Sequence, residues 1–536
     1  LELIAENSIR AGPIDESFDI SGNPAEGVEI LAVAASLGIS PKGNFGGAGT
    51  VAINRIRNTV EAFLKDSTCT FTDNGQGSFT SRDDSNIFSI AGAIGGAKNV
   101  GIGAAVAYNE IGNKAYTFID GSTLDNPVTL SLITESGGII KTLSLGASGA
   151  QDVALAGSAS VNTINNDASA YIKDSTVTVI NNISISSTGS AGIGSIAGGF
   201  AGAGKAAVGA AVAINNIGTA ADPNLIKAYI ENSQVTTTSG SLSLITTSNS
   251  IIKSISAGGA GAEKCAIGGA VSVNNIVNEI EAYIINCSDG VTAHSDITLD
   301  AADNSAVSVI AGSVAGAGTA AIAGAAATVE IGYYNPIDKT ITYSKTRTYI
   351  ENSQVTSQTG EVKLTSTSNS VIFNIAAGAG VAGTFGGQGS VSLNWIYNEL
   401  TARIIDATVT AAGDISAKAV TIKRTTIPQG AIQPQSDDTD ISTFDGDPND
   451  TDSDDEDGQP TTHDISSIQA LAGSVAGGGT AGVGIVVATN KIANLITAGI
   501  SGSTITSSEG NVNVVALSNA SIEAISAALA GAGTFA

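Results

Sequence analysis

The stretch AAVGAAVAINNIGTAADPNLIKAYI, residues 206–230, organises the chain because the rest of the sequence repeats its parts. A Gly/Ala patch leads into alternating small and branched residues, then Asn215, and the unit closes on Tyr229-Ile230. Related versions occupy residues 266–284 and 391–404. A unit that recurs along a chain is the signature of a repeat architecture.

One Asn marks the same point in successive units and gives the length of the repeat. It recurs at Asn54, Asn109, Asn162, Asn215, Asn274, Asn394 and Asn490, and Glu330 is assigned to this position in the sixth unit. The shortest intervals are 53 residues, which we take as the basic period. The longer intervals predict surface insertions at Thr219–Asn224, Tyr333–Lys345 and Ile422–Asp464.

Each unit contains the patterns of four or more short β-strands. Alternation such as Ser241-Leu242-Ser243-Leu244 is typical of a half-buried strand, and Asn232-Ser233 is typical of a turn. In the first unit Cys69 takes the place of a branched core residue. We therefore predict an all-β fold, a long right-handed parallel β-solenoid of about eight repeats. We assign two coils of roughly 26 residues to each repeat, which at about 4.8 Å per coil predicts a rod of roughly 80–90 Å.

Composition and charge exclude several classes of function. The chain is 42% hydrophobic but only 4% aromatic, with 65 glycines and no Met, so it lacks the bulky side chains of a wide core. Glycine weakens helices, and β-branched residues favour strands. A net charge of -26 disfavours nucleic acid and anionic membranes as partners, because their phosphates attract Lys and Arg. Such a charge fits a soluble secreted protein.

The segment Ala306–Thr328 is uncharged and long enough to cross a membrane. Equivalent stretches in other units carry Lys205 or Glu263-Lys264, so we predict no transmembrane span. Cys69, Cys265 and Cys287 lack the spacing of metal ligands, and an odd number cannot all pair within the chain. Because residues 1–536 open and close in mid-repeat, we expect one continuous solenoid that is a segment of a longer chain.

The Gly/Ala patch, the AVAINNI-like run and the AYI-like ending resemble the repeats of the leukotoxin-type filamentous adhesins and related giant bacterial exoproteins. The resemblance spans nearly the whole chain, but it lies in the style of the repeat and involves no site motif. It implies a parallel β-helix exported to the cell surface, acting in attachment or as an extracellular fibre. It transfers no catalytic or binding residue to this sequence.

The acidic insertion at residues 422–464 supplies the candidate metal ligands Asp450, Asp452, Asp454 and Asp457. Residues 437–457 carry eleven acids and no base, and alternating carboxylates can bind a hard cation such as Ca²⁺. An EF-hand loop requires Gly at its sixth place, where this sequence has Asp455. The alternatives are therefore a Ca²⁺ site and a solvated, disordered loop, and nothing else in the sequence requires a cofactor.

Thr-x-Thr pairs flank the buried residue of one predicted strand in several units. They are Thr68/Thr70, Thr176/Thr178, Thr408/Thr410 and Thr504/Thr506. Flat Thr arrays on solenoids are typical of ice-binding proteins, so ice binding is an alternative function. Gln234 and Gln354 interrupt the pattern, two coils per repeat would place a foreign coil between the pairs, and outward Thr is common in strands.

The Asn column has two interpretations, an outward ligand surface or an inward ladder that satisfies the backbone of turns, and we favour the ladder. Trp395, the only tryptophan, follows Asn394 and either stacks on a sugar ring or packs against the rod. Carbohydrate binding is thus a further alternative.

The sequence offers no candidate catalytic residue. His294 and His463 lie far apart, outside any nucleophile or metal motif. β-Helical polysaccharide lyases and hydrolases cluster Asp with basic residues on one face, whereas Lys and Arg are scattered here, so an enzyme is the least favoured alternative. We expect a structural extracellular filament, stalk or adhesin that displays its insertions. Its expected partners are further copies, joined end to end or laterally, and cell-surface or matrix polymers.

Overall fold

The chain forms a parallel β-solenoid, as predicted. The computed structural model describes residues 1–8, 30–72, 75–422 and 467–534. Within these residues the secondary structure is entirely β, and four parallel sheets run along the rod. None of the described residues belongs to a helix of the length and apolarity needed to cross a membrane. Ala306–Thr328 instead contributes to two strands, Ala306–Ala317 and Ala320–Ile331.

The prediction of two coils per repeat is wrong, because each repeat makes a single coil. Val153–Ile164 pairs directly with Ala206–Ile217, so the neighbouring strand lies 53 residues further along the chain. The eight strands of one sheet then span about 34 Å at about 4.8 Å per step, and the expected 80–90 Å is also wrong. A 53-residue coil is possible because part of every coil folds into a flat arm and only the remainder encloses a wider core.

Sheet A contributes two segments to most coils, which run as one 21-residue strand in three coils and are split at a corner in the others. Its fifteen strands are Glu2–Ser8, Ile30–Ser40, Gly77–Ala97, Leu130–Ala150, Ile183–Ala203, Leu242–Ser248, Ile251–Ala262, Ile297–Asp303, Ala306–Ala317, Val362–Ser368, Val371–Ala382, Ile415–Thr421, Ile468–Gly478, Val512–Leu517 and Ile522–Ala532. We call the first segment of each coil the prism half and the second segment the arm half.

Sheets B, C and D each contribute one strand to every coil. Sheet B contains Phe45–Ile56, Val100–Ile111, Val153–Ile164, Ala206–Ile217, Cys265–Ile276, Ala320–Ile331, Phe385–Ile396 and Ala481–Ile492. Sheet C contains Thr59–Lys65, Lys114–Asp120, Asp167–Lys173, Asn224–Glu231, Asn278–Ile285, Ser344–Glu351, Asn398–Ile405 and Leu495–Ser501. Sheet D contains Thr68–Thr70, Thr123–Asp125, Thr176–Val179, Gln234–Thr237, Val291–Ala293, Gln354–Ser357, Thr408–Ala411 and Thr504–Ser507.

The prism half of sheet A and sheets C and D enclose a core of branched side chains, and we call this part the prism. One coil contributes Ile230 from sheet C, Val235 from sheet D and Leu244 from sheet A, each fully buried. Equivalent residues of successive coils stack on one another, so the core is continuous along the rod. Each coil buries its apolar edge only against its neighbours, which is the basis of stability in a solenoid.

The arm half of sheet A packs face to face on sheet B, and together they form a thin arm. Glycine permits this close approach, because a Cβ on Gly199 would lie 2.0 Å from the carbonyl oxygen of Ala210. A Cβ on Gly258 would lie 1.9 Å from the carbonyl oxygen of Gly269. The Gly/Ala patch of the repeat is therefore the arm, and its small residues are needed for the contact between two backbones.

The insertions leave the solenoid at corners between strands. Residues 219–223 connect sheet B to sheet C, and the later insertion forms an antiparallel hairpin of Tyr333–Asn335 and Thr340–Thr342. Between these two strands Ile337 is 92% exposed. The third insertion follows sheet A strand Ile415–Thr421, but residues 423–466 lie outside the described residues.

Candidate interaction surfaces

A buried ladder of Asn side chains joins the coils where the arm meets the prism. Each Nδ2 donates to the Oδ1 of the Asn in the next coil at 2.7–2.8 Å. The steps are Asn54–Asn109, Asn109–Asn162, Asn162–Asn215, Asn215–Asn274 and Asn394–Asn490. The interior members are fully buried, which confirms the inward interpretation and excludes a ligand surface at this column.

Two details of the predicted Asn column are corrected. The neighbouring Asn residues lie in adjacent coils, not two coils apart, because each repeat is one coil. Val329, not Glu330, occupies the Asn position in the sixth coil, since Asn274 pairs with Val329. Glu330 lies on the outer face beside Trp395. Burial raises the pKa of the Glu330 carboxyl, whose Oε2 accepts a hydrogen bond from the Tyr334 amide at 3.0 Å.

A second Asn column, which the sequence analysis missed, satisfies the backbone of the corner between sheets B and C. The side-chain Oδ1 accepts a hydrogen bond from the backbone N–H of the equivalent residue in the preceding coil at 3.0–3.3 Å. Such acceptors are Asn113, Asn166, Asn224 and Asn494. The signal was the recurrence of this Asn four residues after the first one in several units, with a longer gap at Asn224.

The corner between sheets C and D is held by the predicted Asx-Ser turn. Asp174, Asn232 and Asn352 have φ of 47°, 48° and 45°, a left-handed conformation that Asp and Asn tolerate. The following Ser Oγ accepts from the backbone N–H of the preceding coil at 3.0–3.1 Å, as for Ser122, Ser175, Ser233, Ser353 and Ser503. Cys287 occupies this Ser position and is buried, and burial raises its thiol pKa.

The predicted Tyr ending of the repeat forms an aromatic ladder on the outer face of sheet C. Neighbouring rings are stacked with centroids 4.7–5.0 Å apart. The members are Phe63, Phe118, Tyr171, Tyr229, Tyr283 and Tyr349. Burial raises the pKa of the Tyr171 hydroxyl to about 12. The faces of the interior rings are covered by neighbouring rings, so they cannot stack on sugar rings, and the ladder pins one coil to the next.

Ion pairs flank this ladder and also run from coil to coil. Lys227 Nζ lies 2.8 Å from Glu279 and 3.1 Å from Glu281, and Lys345 reaches Glu279 at 3.2 Å. Arg347 joins Glu281 to Glu399 at 3.4 and 3.0 Å. These charges compensate one another across adjacent strands, so the network stabilises the register of sheet C.

The outer face of sheet D carries the predicted Thr pairs closer together than expected. Because each repeat is one coil, no foreign coil separates them. One column contains Thr in six consecutive coils, namely Thr178, Thr236, Thr292, Thr356, Thr410 and Thr506. The parallel column is Thr68, Thr123 and Thr176 before Gln234 interrupts it. The objection that coils would alternate is therefore wrong, and the Thr face is a continuous strip.

The two outer faces of the arm are uncharged and apolar, which is unusual for a solvent-facing sheet. On the arm half of sheet A, which we call the A-face, four outward columns across nine strands contain only Gly, Ala, Val, Leu, Ile and Phe. Ile94, Phe200 and Val314 are 51%, 50% and 60% exposed on it. Between Phe200 and Val314 the glycines leave a shallow depression of about 530 Å³.

The outer face of sheet B, which we call the B-face, is also uncharged in its central columns, but its large residues are distributed differently. One column reads Ile102, Leu155, Val208, Ile267 and Ile322 in five consecutive coils. It is a nearly uniform ridge, whereas the A-face alternates large and small residues. Sequence analysis missed both faces. The available signal was that the strands of the arm are apolar at both parities of the alternation.

The remaining predicted site residues form no common site. Trp395 is half-buried on sheet B, with Glu330 and Lys491 on the adjacent coils. His294 follows sheet D, with its Nδ1 3.3 Å from Gln358 Oε1. His463 and the four aspartates Asp450, Asp452, Asp454 and Asp457 lie outside the described residues. Among the described residues, no group of three or more His, Cys, Asp and Glu side chains could hold a metal ion.

Comparison of the chain with protein-family models, with curated proteins and with solved structures found no match.

Proposed function

We propose that this chain is a structural module of an extracellular filament, stalk or adhesin. The observation that supports this role is the continuity of the contacts between coils. Parallel pairing in four sheets, two Asn columns, a Ser column and an aromatic ladder each run through several successive coils.

These contacts would make a rod that resists both bending and slippage. A one-residue slip of any strand would bring the Asn ladder and the branched core to the outer face, so the register is strongly fixed. Neither the Asn ladder nor the aromatic ladder leaves its groups free for a ligand, because the amides bond to one another and ring faces cover ring faces. The side chains repeated in every coil therefore serve the rod itself.

The insertions are the parts that such a rod would display. The hairpin formed by Tyr333–Asn335 and Thr340–Thr342 carries the highly exposed Ile337. The net charge of -26 keeps the rod soluble. The likeness of the repeats to those of filamentous adhesins supports the same role at a cell surface.

Immunogold electron microscopy tests this role. Antibodies against the hairpin of residues 333–342 should label the surface of intact source cells, and the free hairpin peptide should block the label. Antibodies against a buried core segment such as residues 242–248 serve as the matched control and should label only denatured protein. Label that appears only inside permeabilised cells would contradict the proposal.

The Thr strip of sheet D supports a second candidate, ice binding. Its Thr hydroxyls repeat every 4.8 Å or so along six coils, which is the regular, flat array that such a function requires. Thermal hysteresis is the test. Thr356→Lys in the strip should abolish it, and Thr365→Lys on the prism half of sheet A should not. A chain without thermal hysteresis would remove this candidate.

A further inference from the structure

The A-face of the arm has a pattern of large and small residues that is complementary to itself. Its central column reads Ile94, Ala147, Phe200, Gly259, Val314, Ala379, Val475 and Leu529 from coil to coil. Large and small side chains alternate through the middle of this column. Two layers pack well when the large residues of one face the small residues of the other.

We propose that the A-face binds the A-face of a second copy of this chain, with the two rods antiparallel. This pairing rests on the structural role proposed above and names its partner. A two-fold axis along the strand direction, midway between the coils of Gly259 and Val314, places each column over itself. Val314 then faces Gly259 of the second copy, and Phe200 faces its Ala379.

The same operation matches the other residues of the face. Ala147 faces Val475 of the second copy, and in the flanking columns Leu145 faces Gly473 and Val381 faces Gly202. The depression over Gly259 receives Val314 of the partner. Only Ile94 and Leu529, at the ends of the shared length, bring two large residues together in this column.

Other arrangements fit less well. A shift of one coil sets Phe200 against Val314 in one direction and against Val475 in the other. Parallel rods set Phe200 against Phe200. The B-face offers no such match, because its column from Ile102 to Ile322 is large throughout. The observed pattern therefore selects one face, one direction and one register.

The size of the face is sufficient for a stable dimer. Eight coils at about 4.8 Å and seven residues at about 3.3 Å give roughly 800–900 Å² on each copy. Specific protein interfaces bury about 800 Å² per partner. No charge lies in the four columns, so the acidic character of the chain does not oppose the contact directly at the interface.

The experiment measures the mass of the full chain by analytical ultracentrifugation over a range of concentrations. The chain should be a dimer, and Val314→Asp should shift it to a monomer by burying a carboxylate in the centre of the contact. Val271→Asp on the B-face is the matched control and should leave the dimer intact. Circular dichroism and thermal unfolding should show that both variants are folded.

Cysteine cross-linking then tests the register, in a background where the three native cysteines are replaced. The double variant Ala147→Cys/Val475→Cys should form covalent dimers on mild oxidation. Each single variant should form none, because its two copies of the cysteine lie about five coils, or roughly 24 Å, apart. Cross-linking of a single variant, a monomer at every concentration, or dissociation by Val271→Asp would overturn the proposal. A monomeric chain that still labels the cell surface would reject the pairing and leave the structural role intact.

Discussion

The side chains that matter most to this protein are those whose polar groups are satisfied by the same residue one coil away. Asn215 is fully buried, accepts from Asn162, and donates to Asn274 at 2.8 Å. A ladder of this kind leaves few buried polar groups without a partner as long as it is unbroken. A single substitution, however, strands the groups on both sides.

We expect Asn215→Leu to destabilise the chain by about 2–5 kcal/mol, because an amide of Asn162 and a carbonyl of Asn274 each lose a buried partner. The midpoint of urea unfolding measures this effect. Asn216→Leu, on the half-buried outer side of the same strand, is the control and should cost less than about 1 kcal/mol. Equal effects of the two substitutions would contradict the role of the ladder.

The ion network of sheet C predicts a pH dependence. Burial alone would raise the pKa of Glu279, but hydrogen bonding and charge from Lys227, with further charge from Lys345, outweigh it and hold the pKa below its usual value. A depressed carboxyl pKa contributes stability above the pKa of the unfolded chain, about 4.3, and loses it as the pH falls through the folded value.

The difference in unfolding free energy between the unmodified chain and Glu279→Gln should therefore be constant at neutral pH and shrink as the pH falls below about 4. Urea titrations from pH 7 to pH 3 measure it. Glu263→Gln, in the exposed turn of the arm, controls for the loss of one negative charge. A difference that grows on acidification would contradict the assigned pairing.

At the residue scale the sequence predicted the inward Asn, the Asx-Ser turn and the Tyr-Ile position. It misplaced one residue, because the doublet Asn274-Asn275 offered two alignments with Val329-Glu330 and the polar one was chosen. Register follows from backbone pairing, which a side-chain comparison cannot supply. It also passed over Asn113 and its equivalents, because a single marker per unit was sought.

At the scale of the elements, the arm is the part that distinguishes this solenoid from a simple prism. Its two layers lie so close that backbone meets backbone at Gly199 and Gly258. Alternation predicted the strands correctly. The two-coil assignment failed because counting strands assumed one narrow, uniformly rounded coil, whereas the Gly/Ala segments fold back on each other and lengthen the coil without widening its core.

The close approach gives a sharp test. Gly199→Ala should lower the thermal unfolding midpoint by several degrees, because its Cβ would lie 2.0 Å from the Ala210 carbonyl oxygen and force the layers apart. Gly202→Ala, on the same strand, has no atom within 4 Å of the added Cβ and should change the midpoint little. A similar loss in both variants would show that helix or strand propensity, rather than the contact between layers, decides the effect.

At the scale of the whole molecule, the central claim is that one repeat makes one coil. It fixes the length of the rod, brings the Asn, Ser and aromatic columns into direct contact, and makes the Thr strip and the A-face continuous. Sequence periodicity alone leaves the number of coils per repeat open, because one coil of 53 residues and two coils of half that length give the same repeat.

The distance between spin labels at Lys65 and Ser501 tests this claim directly. Both residues are exposed, and they occupy the same column of sheet C seven coils apart. In a background without native cysteines, pulsed electron paramagnetic resonance on the double cysteine variant, diluted with unlabelled chain, should give a distance of about 34 Å. A distance near 67 Å would mean two coils per repeat and would contradict the account.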